Sequence, residues 1–458
     1  MNALELAERA LAHAVGDAQV TVTRERSLLS RFARSAPTQA TAVDDVTIHV
    51  LAWRDGHTGA AATNLADDAS LRDAAVRADA AARASATAAG RAGDHPGPVR
   101  PAAGGALGDA AAHDAATAAL DPDVAGTALA TAFEVCGAAG LEAFGVWTAG
   151  EVESAIASTA GVRASERVTD AYMKVIARDA RGRSGWASGA GTGHGAFDAA
   201  ALARDAAAKV RPEDAAELPP GEYPVVLAPD ALGSLLDFLG DLAFNGLAHA
   251  EGRGALSGRL GATVAAPGIT LADAPRSTLT LPRAFDAEGT PKDALTLIED
   301  GVARRVVHDS RSAARAGDGA ASTGHATAPG GSPYGPSPTN LVLAGGDAAT
   351  EAELLAPIER GIYVTRLWYV NPVNEHETLL TGTTRDGTFL IEDGRIVRPL
   401  RDVRFTDSVL RILAATEALT SARHLACEAD HYGRRFAYGV VCPALRASGF
   451  RVTGVSPA

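Results

Sequence analysis

Three residues late in the chain have the types and spacing of a metal site. His424, Cys427 and His431 stand at i, i+3 and i+7. On a helix that spacing lines one face with two imidazoles and a thiol, all competent transition-metal ligands. The same stretch carries Glu428, Asp430, Arg434 and Arg435, so a solvated loop without metal is the competing reading. His249 and Glu251 offer another imidazole and carboxylate, but their i, i+2 spacing turns them to different helical faces. Around His376, the run Asn374 to Glu377 (NEHE) supplies carboxylates, and a solvated turn after Pro372 explains it without catalysis. Gly189, Gly191, Gly193 and Gly195 resemble a phosphate-cradling loop, yet His194 breaks the GxGxxG order and no Walker lysine follows. A flexible hairpin tip is the simpler account. There is no Gly-x-Ser-x-Gly elbow.

The elements that must position these residues fall into two groups. Leu4, Ala7 and Leu11 share a helical face, residues 19–32 alternate as a strand or hairpin does, and 46–53 (VTIHVLAW) reads as a strand. An Ala-rich helix over 71–86 follows. Residues 88–125 form a low-complexity insertion, broken by Pro96, Pro98 and Pro101. Helical pattern over 128–138, strands over 146–158 and 167–179, and a helix over 199–210 complete an N-terminal α/β domain, 1–212. The stretch 211–222 (RPEDAAELPPGE), rich in proline and acid, is the best domain boundary.

The C-terminal domain, 221–458, opens with a strand at 223–227 and an amphipathic helix over 230–247, whose leucines recur at 232, 235, 236, 239 and 242. Short strands are expected at 278–281, 296–299 and 302–308. Residues 310–338 are mostly Ala, Gly, Ser, Pro and His and read as a mobile, structureless loop. Strands resume at 362–368, and 388–391 pairs with 395–399 around Asp393-Gly394, a strong turn signal. The predicted class is α/β (α+β), with the second domain richer in sheet.

Composition narrows the function. At 458 residues, with 47% hydrophobic and 21% charged, the chain is globular rather than disordered and long enough for two cores. A formal net charge of −13 argues against nucleic acid as partner, because that affinity comes chiefly from Lys and Arg on phosphates. Lysine occurs only at 174, 209 and 292 in an Arg- and Ala-rich chain, which reads as compositional bias without functional message. Cys136, Cys427 and Cys442 are odd in number and far apart, unlike a disulfide framework. Glu5, Glu8 and Arg9 interrupt the N-terminal apolar stretch, and no run reaches the roughly 18 apolar residues of a membrane span. A cytoplasmic location without membrane contact is the expectation.

Five segments of the second domain, in order, resemble the TldD/PmbA family, once called modulators of DNA gyrase. They are GEYPVVLAPDALGSLL (221–236), LSGRLG (256–261), PSPTNLVLAGGD (336–347), IERGIYVTRL (358–367) and GTFLIEDGRIVRPLRDV (387–403). The N-terminal half resembles it more loosely, through 46–53 and 185–195. The resemblance implies a metallopeptidase family in which TldD-like chains bind zinc through an HExxxH helix and a later Cys, while TldE/PmbA-like partners share the fold without the metal. Anchoring on Gly252 and LSGRLG puts Ala243, Phe244 and Ala248 where His, Glu and His would stand. None of the three can ligate zinc or act as a base. The expectation is therefore a non-catalytic TldE-like chain without its own cofactor. It would work with a TldD-like zinc subunit, or with itself as a homodimer, on unfolded or extended peptides. The alternative is a self-sufficient hydrolase or homodimeric binding protein using a site outside the family pattern, such as His424, Cys427 and His431.

Overall fold

The computed structural model describes residues 1–101, 112–317, 319–427, 435 and 438–455. The first half is a sheet carrying helices on one face. Helix α1 (Ala3–Leu11) starts at Asn2, whose side chain accepts from Glu5 N–H while Glu5 reaches back to the Asn2 N–H, a capping box. It leads into β1 (Ala18–Ala33), β2 (Ala36–Arg54) and β3 (His57–Thr63). Residues 19–32 are thus one long strand. Helix α2 (Asp68–Ala89) follows, then α3 (Ala115–Ala118) and α4 (Pro122–Ala138). Strands β4 (Glu142–Ser158), β5 (Arg163–Arg178) and β6 (Ser184–Gly191), with α5 (Ala199–Ala208), complete this half. The strand order is β3-β2-β1-β4-β5-β6, with every neighbouring pair antiparallel.

Strand alternation gives the sheet two different faces. On one, α1 and α2 cover Val20, Val22, Ile48 and Val50 at one end, and α4 and α5 cover Phe32, Trp147 and Met173 at the other. Alpha-2 lies close because Gly59 has no side chain: a Cβ there would sit 2.0 Å from the Ala82 nitrogen. The other face carries Gln19, Glu25, Glu166 and Asp170 and receives the second half of the chain.

That second half runs β7 (Gly221–Leu227), α6 (Pro229–Ala243), α7 (Gly246–Ala250), β8 (Leu271–Asp273), β9 (Leu295–Glu299) and β10 (Val302–Ala303). It continues through α8 (Ser310–Ala316), β11 (Leu341–Leu343), α9 (Glu351–Leu355), β12 (Arg360–Asn374) and β13 (Leu379–Glu392). The last elements are β14 (Arg395–Pro399), β15 (Val403–Ser408), α10 (Val409–Ala414), β16 (Thr416–Cys427) and β17 (Gly439–Val455). Strand β7 pairs with both β12 and β17, so β7, β12, β13, β15 and β17 close into a ring. Its core includes the tilted pair Phe405–Phe450, with centroids 5.3 Å apart.

Several expectations need correction. The single helix over 230–247 is two: α6 ends at Ala243, and Asn245 caps α7 by accepting from the Leu247 and Ala248 N–H groups. Gly246 donates to the Val307 carbonyl at 2.9 Å, an approach that leaves no room for a side chain. Residues 278–281 are turn rather than strand, and only Val302–Ala303 of 302–308 is strand. The supposedly structureless segment 310–338 begins with α8 and buries Ser312, His325 and Ser332. Gly189 and Gly191 belong to β6 rather than to a hairpin tip: added Cβ atoms would lie 2.6 Å from Phe197 and 2.3 Å from Ala196, so glycine lets the following chain fold back. The hairpin of β13 and β14 turns on Asp393-Gly394, both at positive φ, as the type I′ signal requires. No helix among the described residues is long and apolar enough to cross a membrane.

Candidate functional site

The three residues that the sequence resemblance sets against a metal-binding triplet lie at and just beyond the C-terminal end of α6, and they are hydrocarbon. Ala243, Phe244 and Ala248 are 1%, 0% and 2% exposed. Phe244 lies within the main core of the second half. The helix break at Asn245 separates Ala243 from Ala248, and alkyl and phenyl groups offer no donor atom. These residues do not fit a zinc ion. Beyond them, Glu251 pairs with Arg253 at 2.8 Å, while burial lowers the His249 pKa and its Nδ1 has no partner among the described residues. The two side chains serve different surroundings, as their spacing implies.

His424 and Cys427 do not share a helical face, because their segment is β16. Three residues apart on a strand, they point to opposite sides. His424 lies opposite Cys442, with its Nε2 3.9 Å from Asp230. Cys427 turns toward the first sheet, in a cluster with Val146, Tyr172 and Leu425. His431 lies outside the described residues. The NEHE run ends β12 and enters an exposed turn, with Glu375 reaching Arg253 at 2.9 Å.

Sequence reasoning missed a dense buried polar cluster, built from 273–340. Asp273 is fully buried, accepts from the Asn340 N–H at 2.7 Å, and lies 3.0 Å from His325 Nε2 and 3.7 Å from Lys292 Nζ. Burial opposes its ionisation, yet Lys292, His325 and the Asn340 N–H outweigh it and hold the carboxyl down to about 2. Burial, with the charge of Lys292, lowers His325. Its Nε2 lies 3.0 Å from Asp273 Oδ2, and its Nδ1 lies 2.8 Å from the Thr323 carbonyl and 2.9 Å from the Thr323 hydroxyl. Asp286 accepts three backbone N–H groups, from Glu288, Thr290 and Ala326. Glu288 binds the N–H and hydroxyl of Ser310. Burial and then the neighbouring Asp286 charge push Glu288 up to about 8. These bonds fasten the 310–338 segment to β8 and the 286–292 turn. The one signal in the sequence was Lys292, a lysine kept in an arginine-rich chain.

Against the first sheet this cluster lines a partly open pocket of about 150 Å³, with Thr21, Ser154, Arg283, Asp286, Lys292 and His325 on its walls. Two buried ion pairs flank it. Glu166 takes Arg283 Nη1 at 3.1 Å and the Ala284 N–H at 2.8 Å. Arg435 places Nε 2.7 Å from Asp170, Nη1 2.8 Å from Thr148 Oγ1, and its N–H 2.9 Å from Glu25. A larger cleft, about 400 Å³, opens at the junction between the N-terminal half of α6 and β12. Asp230, Ser234 and Asp237 form one stripe of α6 along it, facing Arg366 and Trp368.

Comparison with known proteins places this arrangement. The PmbA/TldA metallopeptidase C-terminal domain matches residues 220–454, just over half of the chain, and the central domain of the same family matches 106–211. A Methanothermobacter thermautotrophicus protein named metalloprotease is 27% identical over 208 residues, a match spanning 44% of this chain and 44% of that relative. The fold follows the crystal structure of TldE from Thermococcus kodakarensis at a TM-score of 0.83, with 18% identity over 98% of this chain and 99% of that one. A Thermotoga maritima chain described as a proposed modulator of a DNA gyrase matches at 0.78, also 18% identical, over 98% and 99%. A Bacteroides thetaiotaomicron chain of similar description matches at 0.79, 18% identical, over 99% and 98%. With the family pattern running through both halves of the molecule, the chain belongs to the PmbA/TldA (TldD/PmbA) metallopeptidase family.

Proposed function

We propose that this chain is the zinc-less, TldE-like subunit of a cytoplasmic peptidase complex, holding extended peptide for a TldD-like zinc subunit that performs the hydrolysis. One observation carries the reading: Ala243, Phe244 and Ala248, matched to the family's metal-binding triplet, are packed into the core. Their interior cannot admit a hydrated cation without dismantling the packing around Phe244. The similarity in fold to a chain described as TldE is in keeping with it. The relative named metalloprotease matches over less than half its length, so its activity is not carried over to this chain.

The test is copurification followed by metal analysis. The chain, expressed with a family member that does carry HExxxH, is expected to elute with it as one complex. Zinc should stay with that partner, and peptide cleavage should need both chains. Hydrolysis by the separately purified chain, or stoichiometric zinc on it alone, would overturn the assignment.

A further inference from the structure

Residues 323–335 form a strap at the join between the two halves, and Ala326 and Thr327 of the strap help to wall the pocket there. Its bonds to the second half run to three side chains. Asp286 accepts the Ala326 N–H at 2.9 Å, Lys292 Nζ donates to the Gly324 carbonyl at 3.1 Å, and Asn245 Nδ2 donates to the Tyr334 carbonyl at 2.6 Å. From the first half the strap is met by His95, whose Nε2 bonds to the Gly330 carbonyl. Gly330 has a φ of +73°, and a Cβ there would lie 2.6 Å from Leu51 and 3.2 Å from Trp53. Glycine therefore lets the strap sit directly on β2.

The neighbours of His95 fix its charge. Its Nδ1 lies 2.8 Å from the Trp53 indole Nε1 and 3.1 Å from the Gly97 backbone nitrogen. Both of those groups can only donate, so Nδ1 must present its lone pair. The proton of the neutral ring is then on Nε2, where it is donated to the Gly330 carbonyl, which can only accept. These three bonds together require the neutral Nε2–H form. A second proton would have to go on Nδ1, against two N–H groups. Trp53 is 4% exposed, so its indole N–H would lose its acceptor with little water to replace it. Burial also opposes the charge and lowers the ring below its usual 6.5. The charged groups that face the ring are Asp94, beside it in the chain, and Asp309 and Arg311 at the start of α8. The aspartates favour the second proton and Arg311 opposes it, while β2 offers only Leu51 and Trp53 at this contact.

We propose that His95 is a proton-sensitive latch between the halves: the neutral ring fastens Gly330, and protonation breaks the bonds at Nδ1 and frees the strap from the pocket it walls. A released ring takes its proton near the ordinary 6.5 and the seated ring only below that. The latch is therefore fully engaged above 6.5 and is lost as pH falls through the lower value of the seated ring. Four other groups near the strap titrate as well. Asp286 and Glu288, both raised, contribute stability that grows as pH falls, whereas His308 and His325, both lowered, weaken in the same direction as His95. The latch needs neither a partner subunit nor zinc.

Hydrogen–deuterium exchange of the full chain between about pH 5 and about pH 8, expressed as protection relative to the unstructured rate, reads the strap directly. Protection over 326–335 is expected to fall roughly tenfold through the transition, the cost of two hydrogen bonds, while that of the β4–β5 pair holds. His95→Gln keeps a neutral donor and acceptor but cannot take the proton, so its protection should stay level across the range. Trp53→Phe removes a donor that opposes protonation and should move the transition to higher pH, which loss of packing alone would not do. The ring can also be followed without any substitution: nitrogen-15 signals of His95 should show the Nε2–H tautomer at neutral pH and a midpoint below 6.5. A proton on Nδ1 at neutral pH, level protection in the unaltered chain, or an unmoved midpoint in Trp53→Phe would each overturn the proposal. So would the same fall in His95→Gln, which would assign the loss to His308 or His325.

Discussion

The two ends of α6 have opposite fates. Its last turn and the chain beyond it, Ala243, Phe244 and Ala248, are sealed in hydrocarbon, whereas its first two turns set the half-buried Asp230 and Asp237 along the wall of a cleft. Apolar burial contributes stability in proportion to the area hidden from water. Carboxylates on a concave wall stabilise little, and natural chains keep such groups mainly where something binds. One helix thus has one end sealed in the core and another that lines a cleft.

Substitutions can break or sharpen this contrast. The largest effect is expected at the sealed end: Phe244→Ala should cost about 3–5 kcal/mol in urea unfolding, from lost transfer energy and the cavity left behind. Close behind, Asp273→Ala strands Lys292 and His325 in the interior and should cost about 3 kcal/mol, read from the same unfolding curves. At the break between α6 and α7, Asn245→Ala removes a cap on two N–H groups and a bond to the Tyr334 carbonyl, worth about 1–2 kcal/mol. At the open end, Asp230→Asn keeps one acceptor for Trp186 or Ser188 and should cost no more than about 1 kcal/mol. A larger loss there would make Asp230 a structural residue and erase the contrast.

The polar cluster adds a pH signature. Glu288 has a folded pKa of about 8, above its ordinary 4.5, so the folded state holds a proton that the unfolded chain releases. Its contribution to stability is therefore present at acid pH and is lost as pH rises from 4.5 to about 8, with a slope of at most about 1.4 kcal/mol per pH unit. Glu288→Gln should flatten the fall in melting temperature across that window. Asp273, depressed to about 2, acts in a different range, losing its stabilisation only as pH falls below about 3.8. An unchanged slope in the Glu288 variant would remove that residue from the titration.

Much of the architecture could be read in advance because its signals are local. The leucines of α6, the alternation of β4 and β5 and the Asp393-Gly394 turn each follow from spacing within a few residues. The metal-like spacing at 424–427 misled because strand and helix cannot be told apart in so short a stretch once the pairing partner, β17, is unknown. Low-complexity composition hid the order in 310–338: alanine, glycine and serine give no period, yet they pack closely around bonds to Asp273, Asp286 and Glu288, which lie before the segment begins. The three lysines were set aside as bias, but each has a specific place. Lys174 lies over Trp186, Lys209 donates to the Trp186 carbonyl at 2.6 Å, and Lys292 reaches the Gly324 carbonyl at 3.1 Å. A compact ammonium fits interior positions where a broad guanidinium would not. Arg366 was invisible for a different reason, since its two flanking tryptophans come from separate sheets.

The ring of the second half has a consequence for how the molecule is made. It closes only when β17, residues Gly439–Val455, meets β7 at Gly221–Leu227. During synthesis the helices and hairpins between them therefore emerge with an unfinished wall, and their strand edges stay exposed to other nascent chains until the last strand leaves the ribosome. Loop closure over that separation makes the step slow. Stalling or trimming ahead of residue 439 is expected to yield aggregates rather than a smaller soluble fragment.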